Sequence, residues 1–260
     1  MQNNSSDAKK RDVHISKALS YLLRHGAVKE NLKIDSNGYI LVSDLLKHQR
    51  LKSFKTTWFD VKRIVRDNDK QRFHLKNKSS SQDDDSVENW YICATQGHSL
   101  SKVKPDENSG LLTPIILSQD EVFPTPLIHG TSVDSLFLII KSGKLSKQKR
   151  NHIHLTTGLV DSLENINKKD DETKILSGFR NSSKILIYLK TSPIEYINDL
   201  HLLKSINGVV LTESNIPIEN FEKIVIRNSK KDDVKIQKLI DLLKENNVSY
   251  EFDASCKGSL

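Results

Sequence analysis

Leu22-Leu23-Arg24-His25-Gly26 closes a helix whose spacing can be read directly from the chain. Ile15, Ala18, Leu19, Leu22 and Leu23 recur at i, i+3, i+4, i+7 and i+8, the pattern of one buried helix face. At about 100° per residue, Arg24 falls opposite that stripe and His25 at its edge. Gly26 is expected at the C′ position, in the left-handed conformation that stops a helix. Two cations at the negative end of a helix dipole are ordinary by themselves, as a solvated terminus. Their interest comes from the Arg and His residues that follow.

Working outward, residues 1–10 are polar and read as a disordered arm. Downstream, Ile34 to Ile40 holds an Asn37-Gly38 turn between β-formers. Ser43 is expected to cap a helix carrying Val42, Leu45 and Leu46. Trp58, Val61, Ile64 and Val65 give another helix, ending before Asp67-Asn68-Asp69. Strands follow at Arg72 to Lys76 and Trp90 to Ala94, with a polar insertion around Asp83 between them. That order predicts a winged-helix-like lobe over residues 11–98. Residues 99–125, with Pro105, Pro114 and Pro124, form a linker. Residues 126–229 form a second lobe of short strands, with a helix after His129-Gly130-Thr131 that Gly143 ends and with Glu222 to Arg227 as its last strand. Residues 230–260 are an extension with an amphipathic helix. The fold class is α+β.

Composition sets bounds on function. Of 260 residues, 36% are hydrophobic and 28% charged, enough for folded cores beneath a polar surface. A net charge of +7 favours polyanionic partners, nucleic acid before membrane. No apolar run approaches the roughly 18 residues of a membrane span, and no signal-peptide core follows Met1, so a cytoplasmic or nuclear protein is expected. Cys93 and Cys256 are too few for a disulfide framework or a cysteine zinc site.

Polar clusters stand out against this background. Asp69 to His74 contains Arg72 at a strand entry. Gln96-Gly97-His98-Ser99 places a glycine beside donors suited to an anion. Lys149 to Leu155 carries Arg150, His152 and His154, the two histidines on one face of a strand. Alternating His is also a zinc pattern, but no carboxylate or cysteine partner recurs at matching spacing, and no metal is expected. Phosphate-loop, dinucleotide-fingerprint and serine-elbow motifs are all missing. Arg and His at element ends suit holding and transferring phosphate.

Taken in order, Leu22-Leu23-Arg24-His25, Asp69-Lys70-Gln71-Arg72-Phe73, Gln96-Gly97-His98-Ser99, His129-Gly130-Thr131 and Arg150 to Leu155 resemble the successive motifs of the NAD-dependent tRNA 2′-phosphotransferase family. Ser177-Gly178-Phe179-Arg180 and Asn207 to Thr212 fit the same series. The resemblance runs from about Arg11 to Arg227. Cys93, where the family usually has Arg, and Glu213-Ser214, where it usually has Gly, depart from the pattern.

The resemblance implies an RNA lobe joined to an ADP-ribosyltransferase-like lobe that holds NAD. It implies a monomer acting on tRNA with an internal 2′-phosphate. The phosphate would attack the NAD ribose and expel nicotinamide, and the ribose O2″ would then attack phosphorus, giving 2′-OH RNA and ADP-ribose 1″,2″-cyclic phosphate. Arg24, His25, Arg72 and Arg150 would form the catalytic, phosphate-centred group, with Arg150 supplied by the second lobe. His129, Gly130, Thr131, His152, His154, Gly178 and Arg180 would hold NAD, and Gln96, His98 and Ser99 the RNA. Two other readings stay open: a winged-helix nucleic-acid-binding protein without catalysis, and an ADP-ribosyltransferase that stops after the first step.

Overall fold

A computed structural model describes residues 3–78, 86–118, 123, 126–157 and 182–253. The expected insertion around Asp83 and the Gly178-Phe179-Arg180 motif lie outside the described residues. The architecture is α+β, in two compact units. One comprises Met1–Leu112 with Lys149–Asn151, the other Thr113–Gln148 with His152–Leu260.

In the first unit, α1 (Asn3–Tyr21) begins well before residue 11, so most of the expected arm is helical. Ala8, Lys9 and Lys10 are good helix formers and prolong it while staying exposed. Its apolar stripe is buried as the periodicity requires, with Ile15, Leu19, Leu22 and Leu23 fully covered. The helix then runs into a π-helical turn, Leu22–Gly26. Gly26 is not the left-handed stop that its position suggests. The chain stays right-handed through Ala27 (φ −49°, ψ −46°) and turns at Asn31, whose φ is 56°. Leu32 N–H donates to Ala27 O at 2.8 Å and Asn31 N–H to Val28 O at 3.2 Å, the paired bonds of a Schellman stop.

Gly26 is required for a different reason. A Cβ there would lie 2.5 Å from Cε1 of the Tyr21 ring. That ring is held in turn, with the Arg50 guanidinium 4.4 Å from its centroid and its hydroxyl 3.4 Å from Glu30 Oε1.

The rest of this unit contains β1 (Ile40–Leu41), α2 (Val42–Lys47), α4 (Trp58–Arg66), β2 (Phe73–Asn77) and β3 (Trp90–Ala94) in the expected order, with a short unexpected helix α3 (Gln49–Lys52) between α2 and α4. Within the expected linker the chain passes into the second unit at β4 (Leu112–Pro114). Ser43 does not cap α2. Leu41 is the N-cap, and Ser43 is buried inside the first turn. A Thr57–Asp60 capping box starts α4. Strands β1, β3 and β2 form an antiparallel sheet in that order, centred on Ile92 opposite Ile40 and Leu75. Arg11 holds both Asp60 oxygens (2.9 and 2.7 Å) and Arg63 holds Asp12, which ties α1 to α4.

The second unit contains β5 (Leu127–Thr131), α5 (Val133–Ser142), β6 (Lys144–Leu145), β7 (Ile153–Leu155), β8 (Ile185–Leu189), α6 (Ile194–Asp199), β9 (Leu203–Ser205), β10 (Val210–Thr212), β11 (Ile216–Pro217), β12 (Phe221–Ile226), α7 (Val234–Glu245) and β13 (Tyr250–Phe252). One sheet runs β13-β12-β8-β5; another, β9-β10-β7, has β4 on its outer edge. A bridge between Ile128 and Thr156 brings β5 to β7. Helix α5 is capped by Ser132, and Gly143 (φ 71°) ends it as expected. Helix α7 packs its Ile236, Leu239, Ile240 and Leu243 into the core shared with α5. It also returns the chain so that β13 pairs in parallel with β12. Phe221–Ile226 is therefore not the last strand. No helix among the described residues is long and apolar enough to cross a membrane.

The Gly26 contact gives a direct test. Gly26→Ala should lower stability by about 1–3 kcal/mol, because the new methyl group overpacks against a ring that cannot withdraw freely. Urea denaturation measures this, and an unchanged midpoint would show that Tyr21 moves aside without cost.

Candidate active site

The π-turn carries Arg24 and His25 to a loop that closes around them. Gly97 has φ 87°, and a Cβ on it would sit 3.5 Å from Arg24 Cδ and Nε, so the glycine lets backbone lie against the guanidinium. Ser99 N–H donates to Arg24 O at 2.9 Å, and Ser99 Oγ lies 2.9 Å from His25 Nδ1. Gln96-Gly97-His98-Ser99 is thus the support for the Arg-His pair. Within it His98 is buried against the Gly38 turn, and Gln96 is half-buried.

Arg72 enters β2 with its backbone N–H and Nη1 both 3.3 Å from Asn68 Oδ1. Arg150 belongs to the first unit and not, as its place in sequence implied, to the lobe of His152 and His154. The neighbouring Asn151 explains why. Its N–H donates to His98 O (2.8 Å), and its Nδ2 donates to Leu100 O (3.2 Å) and Val103 O (2.9 Å). These bonds fasten the three-residue segment to the loop that supports Arg24.

The electrostatics are severe. Arg24 Nε and Nη2 are buried and have no hydrogen-bond partner among the described residues. Burial, then the fields of Arg72 and Arg150, pushes the Arg24 pKa down to about 10. Burial followed by Arg24 and Arg150 also lowers that of His25, which is neutral at pH 7 when nothing is bound. Buried donors without partners beside like charges cost free energy unless an anion completes them.

Of the other candidates, His129, Gly130 and Thr131 lie on β5, and His154 on β7. His129 Nδ1 is 2.9 Å from the His154 carbonyl and, facing an oxygen that can only accept, must be the donor. His152 is half-buried 3.8 Å from Glu213, which also holds Lys147 at 2.7 Å. Burial lowers the His152 pKa, against the pull of Glu213. Sequence reasoning missed Asn68, Asn151 and Tyr21, none of which has a periodic signal. Among the described residues, no three His, Cys, Asp or Glu could hold a metal ion.

Arg24 and His25 on the π-turn lie in the field of Arg150, and Arg24 also in that of Arg72, a concentration of positive charge whose chemistry suits a multiply charged anion. Comparison of sequences makes the class specific: the profile of the RNA 2′-phosphotransferase, Tpt1/KptA family matches residues 10–214, and the chain belongs to that family. It is 41% identical to the tRNA 2′-phosphotransferase of Saccharomyces cerevisiae over 242 residues, 93% of this chain and 96% of that one. It is 35% identical to tRNA 2′-phosphotransferase 1 of Danio rerio over 78% of both chains. With tRNA 2′-phosphotransferase 1 of Homo sapiens it shares 36% identity over 79% of this chain and 70% of the relative.

Arg24 separates stability from function. Arg24→Met keeps the length of the side chain and removes the unpartnered charge, so it should raise stability by about 1 kcal/mol or more. The same change should abolish phosphate binding. Urea denaturation and calorimetry with a 2′-phosphorylated RNA measure the two effects; a destabilised variant would contradict the strain described.

Proposed function

We propose that this chain removes the splice-junction 2′-phosphate from ligated tRNA and transfers it to NAD. The carrying observation is the buried, unpartnered guanidinium edge of Arg24 beside Arg72, Arg150 and His25. Membership of the family, and relatives named for this activity over most of their length, support the same reaction. In this reading the first unit is the winged-helix-like RNA lobe, with helices set on the β1-β3-β2 sheet. The second unit is the ADP-ribosyltransferase-like lobe.

Arg24, Arg72 and Arg150 hold the 2′-phosphate by charge-assisted hydrogen bonds. Guanidinium forks are worth most where charge concentrates on oxygens around phosphorus, so the cluster stabilises the transition state of phosphoryl transfer. A bound dianion reverses the field at His25 and restores its basicity. Protonated and fixed by Ser99, His25 can then donate its proton to the departing O2′.

The residues proposed for NAD fit a dinucleotide in their chemistry. His129, Thr131 and His154 come from neighbouring strands and offer imidazole and hydroxyl groups, suited to ribose hydroxyls and an amide. NAD supplies the phosphate acceptor, leaving as nicotinamide and ADP-ribose 1″,2″-cyclic phosphate. Gly178 and Arg180 complete that set by resemblance.

Incubation with NAD and an RNA carrying one internal 2′-phosphate should yield 2′-OH RNA, nicotinamide and the cyclic phosphate together. Arg72→Ala should slow the reaction by on the order of a hundredfold, about 3 kcal/mol at the transition state. Release of no nicotinamide by the wild type would reject the reading. A stable ADP-ribosylated RNA as the final wild-type product would favour an ADP-ribosyltransferase instead.

His129→Ala tests the second unit separately. It should weaken NAD binding and leave RNA affinity nearly unchanged, as calorimetry with each ligand reads. Equal loss of both ligands would contradict the division of roles.

A further inference from the structure

Between α1 and the end of α4 the first unit carries an open groove of about 630 Å³, and only one end of it is the phosphate cluster. Ser16, Ser20 and Arg24 follow one another at intervals of four, along one line of the helix. From Arg24 back to Asp12 the lining extends about 18 Å at 1.5 Å per residue. A phosphate group occupies a small part of that length.

Charge changes along the groove. Arg24, His25 and Arg72 stand at one end, and the hydroxyls of Ser16 and Ser20 follow. Asn68 gives its Oδ1 to Arg72, which leaves Nδ2 as its donor. Beyond them Asp12 is bonded to Arg63 and Asp67, next to Asn68, to Arg66, and Lys17 also lines the groove. Tyr21 and Ile64 add aromatic and apolar wall. Lys17 and Arg63 balance Asp12 and Asp67 along this stretch of lining, so it lacks the excess of positive charge that holds a phosphate at the Arg24 end. A nucleobase suits it better, with flat faces for apolar wall and edge groups for hydroxyl, amide and carboxylate partners.

We infer that the groove is the subsite for the base of the very nucleotide that bears the 2′-phosphate. The inference rests on the phosphate reading above. Carbon C1′, which carries the base, adjoins C2′, which carries the phosphate. The base therefore starts within one helical turn of Arg24, beside Ser20. Recognition at this position lets the enzyme select a phosphate on a nucleoside over a bare phosphate.

The test uses the full chain and RNAs that share one sequence. One has an internal 2′-phosphate; a second has the same phosphate on an abasic nucleotide; a third has the base missing one position away; a fourth lacks the 2′-phosphate. The wild type should bind the first about tenfold more tightly than the second, from lost stacking and edge contacts. The third should bind like the first. Ser20→Trp, which fills the groove beside Arg24, should bind the first and second equally; Ser16→Trp, a turn further, serves if Ser20→Trp does not fold. Equal wild-type affinity for the first two RNAs, with the fourth much weaker, overturns the subsite and leaves the phosphate reading standing. A loss that follows the neighbouring base overturns the assignment of nucleotide. Equal affinity for the first and fourth rejects the phosphate reading itself.

Discussion

Burying a guanidinium among other guanidiniums is the constraint around which the first unit is arranged. Arg24 is kept from water by Gly97 on one side and lies in the fields of Arg72 and Arg150. Such a group can be tolerated only where the surrounding chain is rigid, because any loosening lets it escape to solvent. The supports are correspondingly stiff: a π-turn locked by Tyr21 against Gly26, a Schellman stop at Asn31, and backbone bonds from Ser99 and Asn151. Each restrains a segment carrying a cation or its support. The energy of this unfavourable cluster is the same energy an anion releases when it binds, which is why strain and affinity coincide here.

Much of this was legible in the sequence, for physical reasons that differ by residue. The buried stripe of α1 is a matter of periodicity, which burial obeys. Ser132 and Gly143 bound α5 through local bonds that spacing reveals. Gly26 was misread because its partner is Tyr21, five residues earlier, and a π-turn shifts which residues face each other. Ser43 was misread because a serine before apolar residues fits both a cap and a first turn. Tyr250–Phe252 follows an Asn246-Asn247 turn, but three residues are too short for a strand pattern, and the pairing with β12 depends on α7 folding back. The place of Arg150 could not be read from its neighbours in the chain. It is decided by what Asn151 bonds to, a contact remote in sequence.

The two departures from the family pattern sit in settled surroundings. Cys93 is buried with Tyr39 and Leu111, and burial pushes its thiol up to about 12, so it serves as a small apolar residue and not as a nucleophile. Glu213 holds Lys147 and stands beside His152. Its carboxylate opposes the burial that lowers the pKa of this imidazole, without reversing it.

Lys149–Asn151 has a bearing on how the molecule is made. The first unit is discontinuous in sequence, and its last three residues leave the ribosome only after Thr113–Gln148 has been synthesised. Until they arrive, the carbonyls of His98, Leu100 and Val103 lack the donors that Asn151 brings. The nascent loop around Arg24 therefore meets one cation fewer and fewer restraints than the finished protein. Biosynthesis thus brings in the last cation of the cluster only after the whole of residues 1–148 has been made. A fragment cut at Leu112 would share that immature state permanently, with a softer loop and without Arg150.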